Sequence, residues 1–462
     1  MACSAVNRNR KFLGGYLLKD LKHLIYFENL LQEANNELVK QAKAEGKRAI
    51  GYTCYFMPEV LLDLPGCFSV RLRAPGCTSP DIATYYLSGR VCHYARSLLE
   101  RALEGGYNFL DAQMGTETCT ATCRFQEHIQ QKHLDSVEDM RIIDNDDFFC
   151  TFTDVPFKNS ENSYQHFETQ LRAHVLEPLH EHFGIDISDE TLVKAVEDHN
   201  EVCRLINEIG EYRKLDNPTI TGYEFHVIQL VSLCCPKYLI LPYLRETAEE
   251  MKTREPNLKK EFRCKVVLAG SENDDPDFTK LVEGCGALVV CDRFCYGAVE
   301  SRQPIVLEEG KSPLRCIAEH YLKTSNCPRF MPQDEMRARK KRLADLAKEY
   351  HADGVIVASN KFCEYWSYER VIDTFILKRD YGIPVCSIEK EYKADGIIIA
   401  SNKFCEYWSY ERMIDTIVLP RDYGFPVCSI EKEYVNAASG QLRTRFQAFV
   451  ESIEIKQIQE DK

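Results

Sequence analysis

The chain has 462 residues, of which 44% are hydrophobic and 28% are charged, and its net charge is −13. A chain of this length can form two or three domains with separate hydrophobic cores. The acidic balance argues against a nucleic-acid partner, because proteins bind phosphate backbones through a basic surface. No segment has the apolar length of a signal peptide or a membrane span, so we expect a cytoplasmic protein that does not contact a membrane.

The 21 cysteines are expected to be reduced thiols or metal ligands, because disulfides are rare in the cytoplasm. Most of them are expected to be small, buried, apolar residues. Spacing along the chain does not identify the ligands, since the compact cysteine runs of ferredoxins are absent.

The first part of the chain predicts an N-terminal helical segment, residues 1–46, followed by an α/β domain, residues 47–160. The predicted elements of that domain, in chain order, are a strand at 49–54, helices at 57–64 and 92–104, and strands at 107–112 and 147–153. Strands that alternate with helices are typical of a parallel sheet.

A helical connector, residues 161–258, is predicted next, with amphipathic stretches at 163–183, 189–213 and 222–253. A second α/β domain, residues 259–462, follows the connector. Its predicted elements are strands at 265–270, 287–291 and 354–359, helices at 312–322 and 332–350, and a closing helix at 440–456.

The second domain contains a tandem duplication. Residues 352–393 and 394–435 are identical at 34 of 42 aligned positions, and each copy has a strand–helix–strand pattern. The link between the copies is shorter than the dozen or so residues that a parallel crossover needs. We therefore expect one copy to occupy the sheet, and Pro420 within the helical stretch of the second copy favours the first. The other copy is then looped out, paired antiparallel at an edge or swapped between chains.

Three cysteines that are far apart in the chain each lie where a strand or loop gives way to a predicted helix. They are Cys92, Cys119 and Cys363, and Cys405 is the duplicate of Cys363. Separate elements of a fold can assemble the thiolate ligands of an iron–sulfur cluster in this way.

Nearly the whole chain resembles the 2-hydroxyacyl-coenzyme A dehydratases, a superfamily that includes the ATP-dependent benzoyl-coenzyme A reductases. The segments that carry the resemblance are GYTCYFMPE (51–59), VCHYAR (91–96), GTETC (115–119), CDRFCYG (291–297), TSNCPR (324–329), KFC (361–363) and SGQLRTRFQAF (439–449). The resemblance implies two flavodoxin-like α/β domains with a [4Fe–4S] cluster between them. By position, the implied cluster ligands are Cys92, Cys119 and Cys363, or Cys405 in place of Cys363.

The resemblance also implies a reaction and its partners. An (R)-2-hydroxyacyl-CoA substrate loses water to give a 2-enoyl-CoA, in a strictly anaerobic enzyme. One injected electron gives a ketyl radical that expels the 2-hydroxyl group and acidifies the β-position, and the electron is then recycled. The partners implied are a paralogous second subunit, or a second copy in a homodimer, and an ATP-dependent iron–sulfur activator protein. A separate activator is expected because the chain has no Walker-type loop.

Other residues near the predicted ligands have two interpretations each. His93 and Glu117 adjoin predicted ligands and are candidate catalytic proton carriers, or they simply contact solvent and the ligand loops. Cys291, Asp292 and Arg293 lie at a predicted strand end and are candidates for a substrate pocket, with packing as the alternative. Three further thiols are candidates for a ligand or pocket role, with packing as the alternative: Cys123, Cys295 and Cys327.

Two other functions remain open from the sequence. One is a reductase subunit of the benzoyl-CoA type, in which the electron stays in the product. The other is a non-catalytic iron–sulfur carrier or assembly partner whose active site is disrupted by the duplication.

Overall fold

The computed structural model of the chain describes residues 20–77, 79–134, 142–255, 262–295, 302–325, 327–330 and 332–390, together with 447 and 451. The strands are β1 Arg48–Tyr52, β2 Cys67–Arg71, β3 Ala112–Glu117, β4 Phe149–Asp154, β5 Cys264–Gly270, β6 Ala287–Phe294, β7 Gly354–Asn360 and β8 Val385–Lys390. The α-helices are α1 Leu24–Leu30, α2 Glu37–Ala44, α3 His93–Leu103, α4 Thr120–Leu134, α5 Glu161–Leu171, α6 Glu177–Phe183, α7 Asp189–Glu211, α8 Gly222–Cys234, α9 Lys237–Met251, α10 Pro276–Gly284, α11 Pro313–Thr324, α12 Gln333–Glu349 and α13 Glu364–Tyr381.

The strands form two four-stranded sheets in which every strand pair is parallel. The first sheet has the order β2-β1-β3-β4 and the second has the order β6-β5-β7-β8. Strands such as β6 and β7 are buried along their whole length, as expected where helices cover both faces of a parallel sheet. The prediction of two parallel α/β domains is confirmed.

Each of the two sheets has a topological switch, which is the place where the strand order reverses direction. In the first sheet the chain runs from β1 outward to β2 and then crosses back to β3 on the other side of β1. The second sheet repeats this path with β5, β6 and β7. In such sheets the crevice outside the carboxyl ends of the two central strands is where ligands bind.

Helices α5–α9 lie between the sheets in sequence and pack against both. Leu171 of α5 shares a buried cluster with Met114 of β3 and with Ile317 of α11. At the start of α8, a Cβ atom on Gly222 would lie only 2.4 Å from the Cβ of Val289 in β6. Glycine is therefore required for this close contact between the helix and the second sheet.

Two parts of the first sheet differ from the sequence prediction. The strand predicted at 107–112 is wrong: residues 107–110 form turns, with the Leu110 N–H bonded to the Tyr107 carbonyl at 3.0 Å, and β3 begins only at Ala112. Strand β2 is missing from the prediction. Its Ser69 is polar yet fully buried, and the Ser69 hydroxyl is satisfied there because it donates to the Asp63 carboxylate at 2.9 Å.

The first repeat copy forms β7, α13 and β8, and β7 pairs with both β5 and β8. This copy therefore occupies a place in the second sheet. The second copy, 394–435, lies outside the described residues, so its arrangement stays a prediction. The predicted closing helix at 440–456 also lies outside them, apart from 447 and 451.

A buried carboxylate joins the first sheet, the connector and the second half of the chain. Glu59 accepts hydrogen bonds from the Tyr52 hydroxyl at 2.6 Å, from Arg302 Nη1 at 2.7 Å and from Lys237 Nζ at 3.2 Å. Burial raises the pKa of the Glu59 carboxyl, but Lys237 and then Arg302 outweigh burial and hold that pKa well below its usual range. Three separate parts of the chain thus meet at one negative charge.

We expect the substitution Glu59→Gln to lower the free energy of unfolding by about 3–5 kcal/mol, because it removes the buried negative charge that Arg302 and Lys237 both contact. Lys237 keeps a second partner, Asp63, at 3.4 Å. Urea unfolding at neutral pH measures this change. A matched control is Glu246→Gln, at an exposed carboxylate paired with Lys22, and little change is expected there.

The effect of Glu59→Gln should also depend on pH. Since the folded pKa of Glu59 lies below the unfolded value, its contribution is complete above the ordinary pKa of a glutamate and is lost as the pH falls toward the folded pKa. An equal loss of stability in Glu59→Gln and Glu246→Gln would contradict this account. So would a loss in Glu59→Gln that grows as the pH falls.

Candidate functional site

A pocket lies where the carboxyl ends of the two sheets meet. Its empty volume, including space open to solvent, is about 1030 Å³. Residues that follow β1, β3, β5, β6 and β7 contribute to its walls. The wall includes six cysteines, namely Cys54, Cys92, Cys119, Cys295, Cys327 and Cys363, all in the reduced form.

The three predicted ligand cysteines all line this pocket, and each precedes a helix. Cys92 is the N-cap of α3 and Cys363 is the N-cap of α13. Cys119 lies between β3 and α4, one residue before the helix starts. The partial positive charge at a helix N-terminus favours the thiolate form of a cysteine. The fold thus brings together three residues that are 27 to 271 positions apart in sequence.

Two of these thiols interact directly across the two domains. The neighbouring Cys363 lowers the pKa of Cys92, and Cys92 in turn raises the pKa of Cys363 well above its usual range. Burial, followed by the neighbouring Cys92, raises the pKa of Cys119 to about 12. The three thiols therefore do not ionise independently of one another.

Hydrogen bonds across the domain boundary hold the loops that carry pocket residues. Arg71 Nη2, at the end of β2, donates to the carbonyl of Cys295 at 2.6 Å. The hydroxyls of Tyr55 and Thr324 share a hydrogen bond of 2.6 Å. From the 327–330 segment, Arg329 Nη2 donates to the carbonyl of Val155 at 3.0 Å.

His93 and Glu117 do not line the pocket, although each is close in sequence to a thiol that does. His93 is half-buried in the first turn of α3, and Glu117 is exposed at the end of β3, where its carbonyl accepts a hydrogen bond of 3.4 Å from Arg329. Their roles as proton carriers stay a prediction.

The three candidate pocket residues in β6 have different surroundings. Arg293 lines the pocket. Cys291 lies in an apolar cluster together with Val267. Asp292 forms a buried ion pair of 2.8 Å with Arg213 of the connector. A substrate role for the group therefore stays a prediction, and only Arg293 is in place for direct contact.

Cys54 is the pocket thiol that the sequence analysis did not single out. It lies two residues beyond the end of β1, which is a central strand at the topological switch. The sequence signal was present, since Cys54 is the last residue of a predicted strand, 49–54. That signal indicates a pocket position only when β1 is known to be a central strand of the sheet. Cys123, one helical turn beyond Cys119, is absent from the wall and donates to the Thr116 carbonyl at 3.4 Å.

Among the described residues, no group of three histidine, cysteine, aspartate or glutamate side chains is arranged to hold a single metal ion. The thiols are spread around a space instead of converging on one point. A multi-iron cluster, whose thiolates bind at its separate iron corners, is the kind of group that suits such an arrangement.

We predict that air oxidation of the metal-free chain links Cys92 to Cys363, because the two thiols line the same pocket and are close enough for each to shift the pKa of the other. The bond would close a long loop and raise the free energy of unfolding by roughly 3–5 kcal/mol. Non-reducing peptide mapping identifies the link and urea unfolding measures its effect. Cys363→Ser should abolish the link and Cys123→Ser should leave it unchanged. If Cys92 instead forms its first disulfide with another cysteine, the proximity of Cys92 to Cys363 is refuted.

In the part of the chain that the structure describes, every helix is too short or too polar to cross a membrane.

The chain is similar in sequence to several known proteins. It is 25% identical to the (R)-phenyllactyl-CoA dehydratase beta subunit of Clostridium sporogenes over 79% of this chain and 91% of that protein. It is 23% identical to subunit beta of the (R)-2-hydroxyglutaryl-CoA dehydratase of Acidaminococcus fermentans, over 71% and 83%.

A third relative, the putative dehydratase subunit YjiM of Escherichia coli, is 21% identical over 76% of this chain and 88% of its own length. The family described as 2-hydroxyglutaryl-CoA dehydratase, D-component, matches residues 54–392 and again 389–453. The first match ends with the first repeat copy, and the second match begins just before the second copy. The fold, the pocket and these matches agree: the chain belongs to the 2-hydroxyglutaryl-CoA dehydratase D-component family.

Proposed function

We propose that this chain is a subunit of an (R)-2-hydroxyacyl-CoA dehydratase, a hydro-lyase, and that Cys92, Cys119 and Cys363 hold its [4Fe–4S] cluster. The observation that supports this most is that three cysteines from distant parts of the sequence line one pocket between two parallel sheets. The relatives named as dehydratase subunits supply the class of reaction.

The residues present fit such a group. Thiolates are the usual ligands of iron–sulfur clusters. Each of the three thiols is at or next to a helix N-terminus, which stabilises the thiolate that a metal needs. Burial is the largest cause of the high pKa of Cys119, and the interaction with Cys92 is the largest cause for Cys363. A bound cation would favour the thiolate at both positions.

A bound cluster would supply single electrons and a Lewis-acidic iron for a substrate oxygen. The chain's own residues shape the space around it. Tyr55 and Thr324 close one side of the pocket through their shared hydrogen bond, and Tyr365 and Trp366 of α13 add aromatic surface. Apolar walls exclude water, which protects a reactive radical from side reactions. Arg293 adds a positive charge to the wall, where it would attract an anionic thioester oxygen.

The proposed partners follow from the same assignment. An acyl-CoA thioester is the substrate, and an ATP-hydrolysing iron–sulfur activator supplies the electron. The relatives are named as beta subunits, which supports a complex of this chain with a paralogous subunit; a homodimer is the alternative.

We expect Cys363→Ala to lose about four irons per chain relative to the wild type, whereas Cys405→Ala keeps its iron. The reason is that the first repeat copy pairs with β5 and thereby places Cys363 in the pocket. Iron and acid-labile sulfide are counted after strictly anaerobic purification. Iron lost only from Cys405→Ala would mean that the second copy supplies the ligand. Absence of iron from the anaerobically reconstituted wild type would refute the proposed function.

The reaction is tested with the chain combined with its co-purifying subunit and an activator. We expect an (R)-2-hydroxyacyl-CoA to be converted to the enoyl-CoA over many turnovers for each electron supplied, because the electron is recycled. Cys92→Ser should reduce the rate to background and Cys123→Ser should not. Product formation that consumes reductant in step with turnover would instead identify a benzoyl-CoA-type reductase. Iron binding without any turnover would indicate a carrier.

A further inference from the structure

The wall of the pocket, as far as the structure describes it, contains one carboxylate. Among the described residues that line the pocket, Glu272 is the only acidic side chain and Arg293 is the only basic one. Glu272 lies two residues beyond the end of β5, which is a central strand of the second sheet. Cys54 has the equivalent position after β1 in the first sheet. Glu272 therefore lies at a topological switch, where sheets of this kind bind their ligands.

The backbone that carries Glu272 is held against the neighbouring strand β7. Gly270 has φ +153°, and a Cβ atom there would lie only 1.7 Å from the carbonyl oxygen of Ala358, so glycine is required for this approach. The Ser271 N–H donates to the same carbonyl at 3.0 Å. Asn360 Nδ2 donates to the Glu272 carbonyl at 3.0 Å. The loop is thus fixed before any substrate binds, which is what precise placement of a reacting group requires.

The Glu272 side chain is largely enclosed and its charge acts within the pocket. Only 16% of the side chain is exposed, and Arg71 Nη2 lies 3.7 Å from Glu272 Oε1, which is farther than a hydrogen bond. Burial is the largest cause of the raised pKa of Tyr94 and of Cys295, and the Glu272 charge raises both pKa values further. Both of these residues line the pocket, one from each domain.

Other groups in the wall that could exchange a proton are less suited to accept one. Burial raises the pKa of the Tyr55 and Tyr94 hydroxyls, so both keep their protons at neutral pH. The Tyr94 hydroxyl is also engaged, since it donates to the Leu72 carbonyl at 3.0 Å. Burial raises the pKa of the Cys295 thiol in the same way. A general base must be deprotonated at the working pH, and a carboxylate such as Glu272 meets this condition best.

We propose that Glu272 is a catalytic residue of the dehydration, the base that removes the proton from the β-carbon of the substrate. The inference rests on the proposed function and names the proton carrier of the same pocket. The C–H bond breaks, an O–H bond forms on the carboxyl group, and the electron pair of the C–H bond enters the carbon–carbon double bond. The 2-hydroxyl group leaves as hydroxide and takes up that proton to become water. The carboxylate is thereby restored, and no electron is gained or lost in the net reaction.

The one basic side chain of the described wall lies at the same end of the second sheet. Arg293 in β6 is paired in register with Ala269 of β5, three residues before Glu272. A positive charge near the thioester oxygen stabilises the negative charge that develops there. A base and a cation on one wall suit a reaction in which a proton leaves carbon while charge builds on the oxygen.

The test uses the complex of the full chain with its co-purifying subunit and an activator, without oxygen. Glu272→Gln keeps the shape of the side chain but removes its ability to accept a proton. We expect kcat to fall by about 10²–10⁴-fold, with KM and iron content unchanged. The matched control is Glu127→Gln, at an exposed carboxylate on α4 that is paired with Arg124, and it should keep the wild-type rate.

A second readout follows the transferred proton itself. Deuterium at the β-carbon of the substrate should slow Glu272→Gln more than it slows the wild type, because proton removal becomes the slowest step. Glu272→Asp keeps a carboxylate on a shorter side chain and should recover part of the lost rate. A role of Glu272 in packing alone would change neither the isotope effect nor the order of the two variants in this way.

The outcomes separate this proposal from the proposed function. A wild-type kcat in Glu272→Gln would overturn the role of Glu272 and leave the dehydratase assignment intact. Loss of iron from Glu272→Gln would also overturn that role, because the residue would then act by supporting the cluster site. A slow Glu272→Gln with the isotope effect of the wild type would do the same. A wild type that holds no iron or shows no turnover would refute the proposed function itself.

Discussion

Parallel pairing is the constraint on which the rest of this structure depends. In a parallel sheet all carboxyl ends lie at one edge, so whatever follows each strand is brought to the same place. The chain uses this constraint twice, with the same strand order in both sheets, and the two edges face one pocket. Cysteines that are unrelated in sequence become neighbours for this reason alone.

The domains keep their relative position through buried polar contacts. Glu59 gathers Lys237 from α9 and Arg302 from beyond the second-sheet strand β6, and Arg71 reaches across to the Cys295 carbonyl. A buried ion group of this kind adds little net stability over apolar packing, but it permits only one arrangement of its members. That specificity is what a site shared between two domains needs, since a shift of one domain would separate the thiols.

Sequence patterns predicted the second sheet better than the first. Strands β5 and β7 each contain a run of four apolar residues, 266–269 and 355–358, and their predicted bounds differ from the structure by one residue at most. Strands β2 and β3 contain Ser69 and Gln113, which are polar and yet fully buried. Burial of such residues can depend on partners distant in sequence, such as Lys237, which donates to the Ser69 hydroxyl, and local periodicity cannot reveal these.

The candidate site was predicted in part. Family resemblance pointed to Cys92, Cys119 and Cys363, which the fold brings into one pocket. The neighbours His93 and Glu117 illustrate the limit of reasoning from adjacency, because consecutive residues at a strand or helix end point in different directions. Cys54 could be recognised only once β1 was known to be a central strand.

The place of the first repeat copy in the second sheet bears on how the protein is made. Both copies carry nearly the same side chains, since 34 of 42 positions are identical, so packing alone scarcely distinguishes them. The first copy leaves the ribosome earlier and can pair with β5 before the second copy exists. When the whole chain is refolded from denaturant, both copies are present from the start and either can pair with β5. Material recovered by refolding is then not equivalent to material folded during synthesis, even though the two have the same sequence.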